Sequence, residues 1–117
     1  MVHGTADRQV PYAGGHGASQ PTSRLDPSVA TVVQWWAAHN RCVPLPLREQ
    51  TGRILRETYA GCADDAEVIL ETIQGGGHAW PGGRQGWRFG DAPAPEVSAS
   101  RLMWDFFTRH PAPRKNL

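Results

Sequence analysis

Long apolar segments are absent from this sequence of 117 residues. A membrane-spanning helix needs about 18 or more successive apolar residues, so we expect no membrane span. The first residues, Met1–Asp7, have neither the charged start nor the apolar centre of a signal peptide. As written, the chain carries no export signal.

The chain also lacks an excess of charge of either sign. It has 12 Lys and Arg residues against 11 Asp and Glu residues, a net charge of +1. Proteins that bind nucleic acid or anionic membranes usually carry a basic patch, and none stands out here. Neither partner is therefore expected.

Metal-binding spacings are missing as well. The sequence contains no H-E-x-x-H pattern and no paired Cys/His motif. A metal site could otherwise be built only from His3, Asp7 and His78. The spacing of these residues matches no known metal-binding motif. We expect neither a metal nor a cofactor.

Two helices are predicted, over residues 26–40 and 98–110. Asp26 and Pro27 open the first, as a capping residue and a first-turn proline, and Ser98 caps the second. Apolar residues recur with helical spacing in both. The expected buried faces are Val29, Val32, Val33, Trp36 and Ala37 in the first helix, and Leu102, Met103, Phe106 and Phe107 in the second.

A β-hairpin is predicted over residues 52–73. Its second strand is apolar on both faces, which is typical of a strand inside an α/β sheet. The preceding segment, Val43–Leu47, contains two prolines and is expected to be a connection. At this size the chain forms at most one domain.

A histidine between two glycine clusters follows the hairpin, in Gly75–Gly83. Glycines permit sharp turns, so the strand can present His78 at the tip of a loop, and imidazole exchanges protons near neutral pH. The alternative is a flexible turn with a solvated histidine. The loop extends over residues 75–95 and includes the aromatic residues Trp80, Trp87 and Phe89.

An aspartate follows the first segment of the chain, residues 1–12. Met1 and Val2 are interpreted as the end of a strand, which places Asp7 at its carboxyl end, where open α/β sheets hold functional residues. The alternative is an ordinary turn or capping aspartate.

Three segments together resemble a known family: His3–Tyr12, Gly75–Gly82 and Ser100–Phe107. They are similar to the C-terminal portion of the polyhydroxybutyrate depolymerase and feruloyl-esterase-like branch of α/β-hydrolases. The resemblance implies an α/β fold with an incomplete sheet of two or three strands and two main helices. It also implies that Asp7 is the acid and His78 the base of a Ser-Asp-His triad.

The nucleophile of that triad is missing. The nearest serine segment, Gly17–Pro21, lacks the second glycine of a Gly-x-Ser-x-Gly elbow. The resemblance therefore implies the C-terminal piece of a serine esterase that acts on a polyester or an aryl or acyl ester. The N-terminal part of the same domain, with the serine and the oxyanion hole, would be its partner, and this chain alone is expected to be inactive.

The family is typically exported, which implies an extracellular or periplasmic location and bears on Cys42 and Cys62. These cysteines lie 20 positions apart at the ends of adjacent predicted elements and are expected to form a disulfide. Two buried free thiols are the alternative.

A second function, without chemistry, remains open. The loop aromatic residues Trp80, Trp87 and Phe89 could form a platform that binds a carbohydrate or a polyester. Trp80 and Trp87 are the expected substrate-binding residues in either case.

Overall fold

A computed structural model describes residues 1–19 and 24–112, and it shows a mixed four-stranded sheet with two helices. The elements in chain order are β1 (Val2–Gly4), α1 (Val29–His39), β2 (Leu47–Thr51), β3 (Ile54–Tyr59), a short 3₁₀ turn (Ala63–Asp65), β4 (Val68–Ile73) and α2 (Ala99–Arg109). The strands lie in the order β1-β4-β3-β2. β1 runs parallel to β4, and the other neighbours are antiparallel.

The sheet has four strands rather than the expected two or three. The additional strand, β2, begins at Leu47 in the segment expected to be a connection, and it pairs with all of β3 except its last residue. All five residues of β2 are exposed. An exposed edge strand needs no alternation of apolar and polar residues, so the sequence carried no periodic signal for it.

α1 begins at Val29, three residues after the expected start at Asp26. The hydroxyl of Ser28 accepts a hydrogen bond from the Thr31 amide at 3.1 Å and so caps the helix. Asp26 instead forms an ion pair with Arg24 at 2.9 Å. The expected role of Asp26 as the cap is therefore wrong.

The core lies between α1 and the sheet. Val29, Val33 and Ala37 of the helix are buried against Tyr59 and Leu70. The expected face of α1 is thus confirmed in its centre.

At the margin of this face, Trp36 is 46% exposed, contrary to the expectation that it is buried. Trp36 instead lines a cleft together with residues of α2.

α2 begins and ends close to the expected positions, and the Ser98 hydroxyl accepts a hydrogen bond from the Arg101 amide at 3.3 Å. Its expected apolar face is only half covered, because Met103 and Phe107 are exposed. A cleft of about 580 Å³ is lined by residues of α2 and of β4. Neither helix in the described ranges has the length and apolarity that crossing a membrane requires.

Cys42 and Cys62 form the expected disulfide. The bond joins Cys42, three residues beyond the C-terminal end of α1, to Cys62 in the turn between β3 and β4. The Cys42 amide donates to the Ala37 carbonyl, and the Ala63 amide donates to the Asn40 carbonyl, both at 2.9 Å. The end of the helix and the hairpin turn are therefore connected by one covalent bond and by a main-chain hydrogen bond.

Candidate active site

β1 and β4 end side by side, and each delivers one polar residue to the same edge of the sheet. The parallel register pairs Gly4 with Ile73 at the carboxyl end of both strands. Asp7 lies three residues beyond β1 and His78 lies five residues beyond β4. The fold thus brings together two residues that are 71 positions apart.

The loop that carries Asp7 is shaped by the carboxylate itself. Asp7 Oδ1 accepts hydrogen bonds from the amides of Gln9 at 2.8 Å and Val10 at 2.9 Å. An aspartate that binds amides two and three residues ahead closes a tight local turn. The second oxygen, Oδ2, accepts neither of these hydrogen bonds and is available to another donor.

The loop that carries His78 is attached to the Asp7 loop by two hydrogen bonds, one to a side chain and one between main chains. The Gly75 amide donates to the Thr5 hydroxyl at 2.8 Å, and the Ala6 amide donates to the Gly76 carbonyl at 2.9 Å. Gly75 has a φ of 72°, a left-handed conformation that favours glycine. The two loops therefore leave the sheet as one unit.

Close packing between the loops depends on Gly4. A Cβ atom at Gly4 would lie 2.1 Å from the carbonyl oxygen of Gly76, far inside contact distance. Any side chain at this position would push the two loops apart, and Asp7 and His78 would separate with them.

The Asp7 and His78 side chains form a hydrogen bond, with Oδ2 2.9 Å from Nδ1. The Asp7 side chain is only 7% exposed, whereas that of His78 is 53% exposed. An ionised carboxylate only accepts, so Nδ1 donates and Nε2 of the neutral ring keeps its lone pair. The arrangement therefore leaves Nε2 as the ring nitrogen that can accept a proton.

The environment of Asp7 favours its ionised form. Burial by itself raises the pKa of Asp7, but the hydrogen bonds from the Val10 amide, from His78 and from the Gln9 amide outweigh burial. The net result is a pKa below the ordinary value of 3.8. The carboxylate thus stays charged wherever imidazole is useful as a base.

The serine segment that was considered for the nucleophile borders the same cavity as His78. Ser19 lines a cavity of about 410 Å³ together with His78, and its hydroxyl donates to the side chain of Gln9. Of the Gly17–Pro21 segment, Gln20 and Pro21 lie outside the described residues.

The three aromatic residues of the histidine loop form one pair and one separate ring. Trp87 and Phe89 pack edge to face with ring centroids 5.2 Å apart. Trp80 is held separately, because its indole N–H donates to the Ser100 hydroxyl at 3.0 Å. All three rings are more than half exposed.

The metal site considered above would combine His3, Asp7 and His78. Within residues 1–19 and 24–112, no group of three or more His, Cys, Asp or Glu side chains is arranged to hold a metal ion. His3 packs edge to face on Tyr12 with ring centroids 5.7 Å apart.

Sequence reasoning missed two residues that position His78. The Thr5 hydroxyl joins the loops as described, and the Asp91 carboxylate accepts a hydrogen bond from the His78 amide at 2.6 Å. The sequence around Thr5 and around Asp91 has no pattern that predicts such a contact. Thr5 lies two positions before Asp7 in the segment that carries the resemblance. The resemblance therefore pointed to this segment, but it did not indicate what Thr5 does.

A comparison with curated proteins shows a distant similarity to an esterase. The chain is 34% identical over 89 residues to feruloyl esterase B of Piromyces equi. The alignment covers 74% of this chain but 16% of that protein, so the chain spans only a small part of the length of this relative. No model of a known protein family and no solved structure matches the chain.

Proposed function

We propose that this chain supplies the acid and the base of a serine-type carboxylic ester hydrolase, with Asp7 as the acid and His78 as the base. The observation that carries the proposal is the 2.9 Å contact between Asp7 Oδ2 and Nδ1 of His78, a residue whose side chain is 53% exposed. The similarity to feruloyl esterase B supports it. The proposed substrates are polyhydroxybutyrate or feruloyl and acetyl esters.

In the proposed reaction, His78 Nε2 takes the proton of a serine hydroxyl while the serine oxygen attacks the ester carbonyl. The same nitrogen then gives that proton to the departing alcohol. A water molecule, deprotonated in turn by Nε2, attacks the acyl-enzyme, and Nε2 then returns that proton to the serine oxygen as the acid leaves. Asp7 remains ionised and stabilises the imidazolium in both halves.

The serine and the oxyanion-hole amides are proposed to come from another part of a longer protein. The much greater length of the relative supports this proposal. The disulfide supports a location in an oxidising compartment, extracellular or periplasmic, because such bonds persist there. The chemistry requires no cofactor.

The proposal is tested by hydrolysis of p-nitrophenyl butyrate. The 117-residue chain alone should show no hydrolysis above a buffer control. A longer protein that joins this chain to a Gly-x-Ser-x-Gly segment should hydrolyse the ester, and His78→Ala should lower its kcat by roughly 10³-fold or more.

Asp7→Asn is the matched variant for the acid. In this variant the asparagine oxygen stays on the Gln9 and Val10 amides, so the amide nitrogen faces His78. That nitrogen cannot accept a hydrogen bond from Nδ1–H, so the ring should adopt the other tautomer. We expect kcat to fall by about 10⁴-fold, as in other triads. Full activity of either variant in the longer protein would overturn the proposal. Turnover by the short chain that disappears in both Ser19→Ala and His78→Ala would instead make Ser19 the nucleophile.

A second candidate function is non-catalytic binding of a polyester or carbohydrate by the loop aromatic residues. The exposure of Trp87 and Phe89, 64% and 69%, together with their mutual contact, favours it. Arg88 lies over the Phe89 ring at 4.6 Å and steadies this pair.

Retention on insoluble polyhydroxybutyrate or xylan tests the binding function. Trp87→Ala should lower retention several-fold, because stacking on an exposed ring is lost. Trp35→Ala is the matched control, since Trp35 is 56% exposed but lies on α1. Equal retention by both variants and the unchanged chain would remove this candidate.

A further inference from the structure

The main chain of His78 has a carboxylate partner of its own. Asp91 Oδ2 accepts a hydrogen bond from the His78 amide at 2.6 Å, across 13 positions of sequence. Hydrogen bonds from an amide to an ionised acceptor are shorter and stronger than those between neutral groups. Two carboxylates therefore act on one residue, Asp7 at the ring and Asp91 at the main chain.

Gly77 provides the space for this contact. A Cβ atom at Gly77 would lie 2.3 Å from Asp91 Oδ2 and 2.4 Å from its Cγ. Gly77 is not among the glycines with positive φ, so a side chain would be compatible with its backbone conformation. What a side chain would displace is the Asp91 carboxylate.

The exposure of His78 makes such an anchor necessary. A ring that is 53% exposed is held weakly by packing, so hydrogen bonds must fix its direction. The loop is also fixed beyond Trp80, where the Gly82 amide donates to Ala94 at 2.8 Å and the Ala99 amide donates to Pro81 at 3.0 Å. In the part of the loop between β4 and these contacts, the Asp91 carboxylate binds the His78 amide directly.

We infer that Asp91 is a positioning residue that fixes the main chain of His78 so that its ring meets Asp7. This role rests on the proposed function, because it concerns the same histidine. Asp91 acts through His78 and does not itself touch the reacting ester.

Nuclear magnetic resonance of the ¹⁵N-labelled chain tests the inference without any assay of hydrolysis. Asp91→Ala should accelerate exchange of the His78 amide roughly tenfold to a hundredfold, the range expected for loss of a charge-assisted hydrogen bond. The low-field Nδ1 proton of His78 should weaken or disappear. Asp91→Asn keeps an acceptor oxygen and should restore both signals in part.

Two further variants separate positioning from general stability. Gly77→Ala leaves Asp91 in the sequence but drives its carboxylate off the amide, so it should reproduce the effects of Asp91→Ala. Glu96→Gln is the matched control, since Glu96 is a carboxylate between that loop and α2 that binds Arg53 instead, at 2.6 Å. It should leave the His78 signals unchanged.

The amides of β4 report overall stability in the same spectra. Unchanged His78 exchange and an unchanged Nδ1 signal in Asp91→Ala would overturn the inference. So would changes in His78 that merely equal those throughout β4. Because these signals do not depend on turnover, failure of the esterase proposal would leave them interpretable.

Discussion

At the scale of single residues, Asp7 is a carboxylate whose three hydrogen bonds are made only in the folded chain. Its pKa is lowered on folding despite burial, because the amides of Val10 and Gln9 and the His78 ring stabilise the charge. A lowered pKa means that the unfolded chain binds the proton more readily. The stabilisation by Asp7 is therefore complete above its ordinary pKa of 3.8 and is lost as the pH falls through the lowered value.

This sign predicts how Asp7→Asn changes stability with pH. The variant should be less stable than the unchanged chain at about pH 6, and the difference should shrink steadily toward about pH 2, where Asp7 is protonated as well. Urea unfolding at a series of pH values measures the difference. A gap that stays constant over this range would show that the hydrogen bonds do not depend on the charge of Asp7.

At the scale of elements, the site depends on how two loops leave two parallel strands. The resemblance placed Asp7 and His78 in one site, and the structure shows the expected contact between them, although their catalytic roles remain a proposal. Helix periodicity found α1 and α2 because their apolar residues recur regularly. It missed β2, whose five exposed residues have no buried face to create a pattern.

Thr5→Val tests the contact between the loops. Valine keeps the branched shape but removes the hydroxyl that accepts from the Gly75 amide, so unfolding free energy should fall by about 1 kcal/mol or less. Thr5→Ser keeps the hydroxyl and is the matched control. Urea unfolding and exchange of the Gly75 amide measure the effect, and identical behaviour of the two variants would contradict it.

At the scale of the whole molecule, the hydrophobic core is small, and a disulfide bond adds to the stability that the core provides. The disulfide between Cys42 and Cys62 closes a segment with a sequence separation of 20. Reduction should lower the free energy of unfolding by about 3 kcal/mol in the chain-entropy model. Urea unfolding with and without reductant measures this, and Cys42→Ser/Cys62→Ser should match the reduced chain and be insensitive to reductant.

The sequence could not reveal how much of each helix is covered. Trp36 and Phe107 belong to regular apolar faces, yet Trp36 is nearly half exposed and Phe107 more than half. Periodicity identifies the face that is suited to burial, whereas coverage depends on which other elements are present to pack on it.

The parallel pairing of β1 with β4 also determines when the site can form. The β3–β4 hairpin closes over a short turn, but the contact between Asp7 and His78 spans 71 positions. Closing long loops is slow relative to forming local hairpins, because the chain entropy is lost before the distant contacts compensate for it. We therefore expect the hairpin to form before β1 pairs with β4, so that Asp7 and His78 meet late in folding.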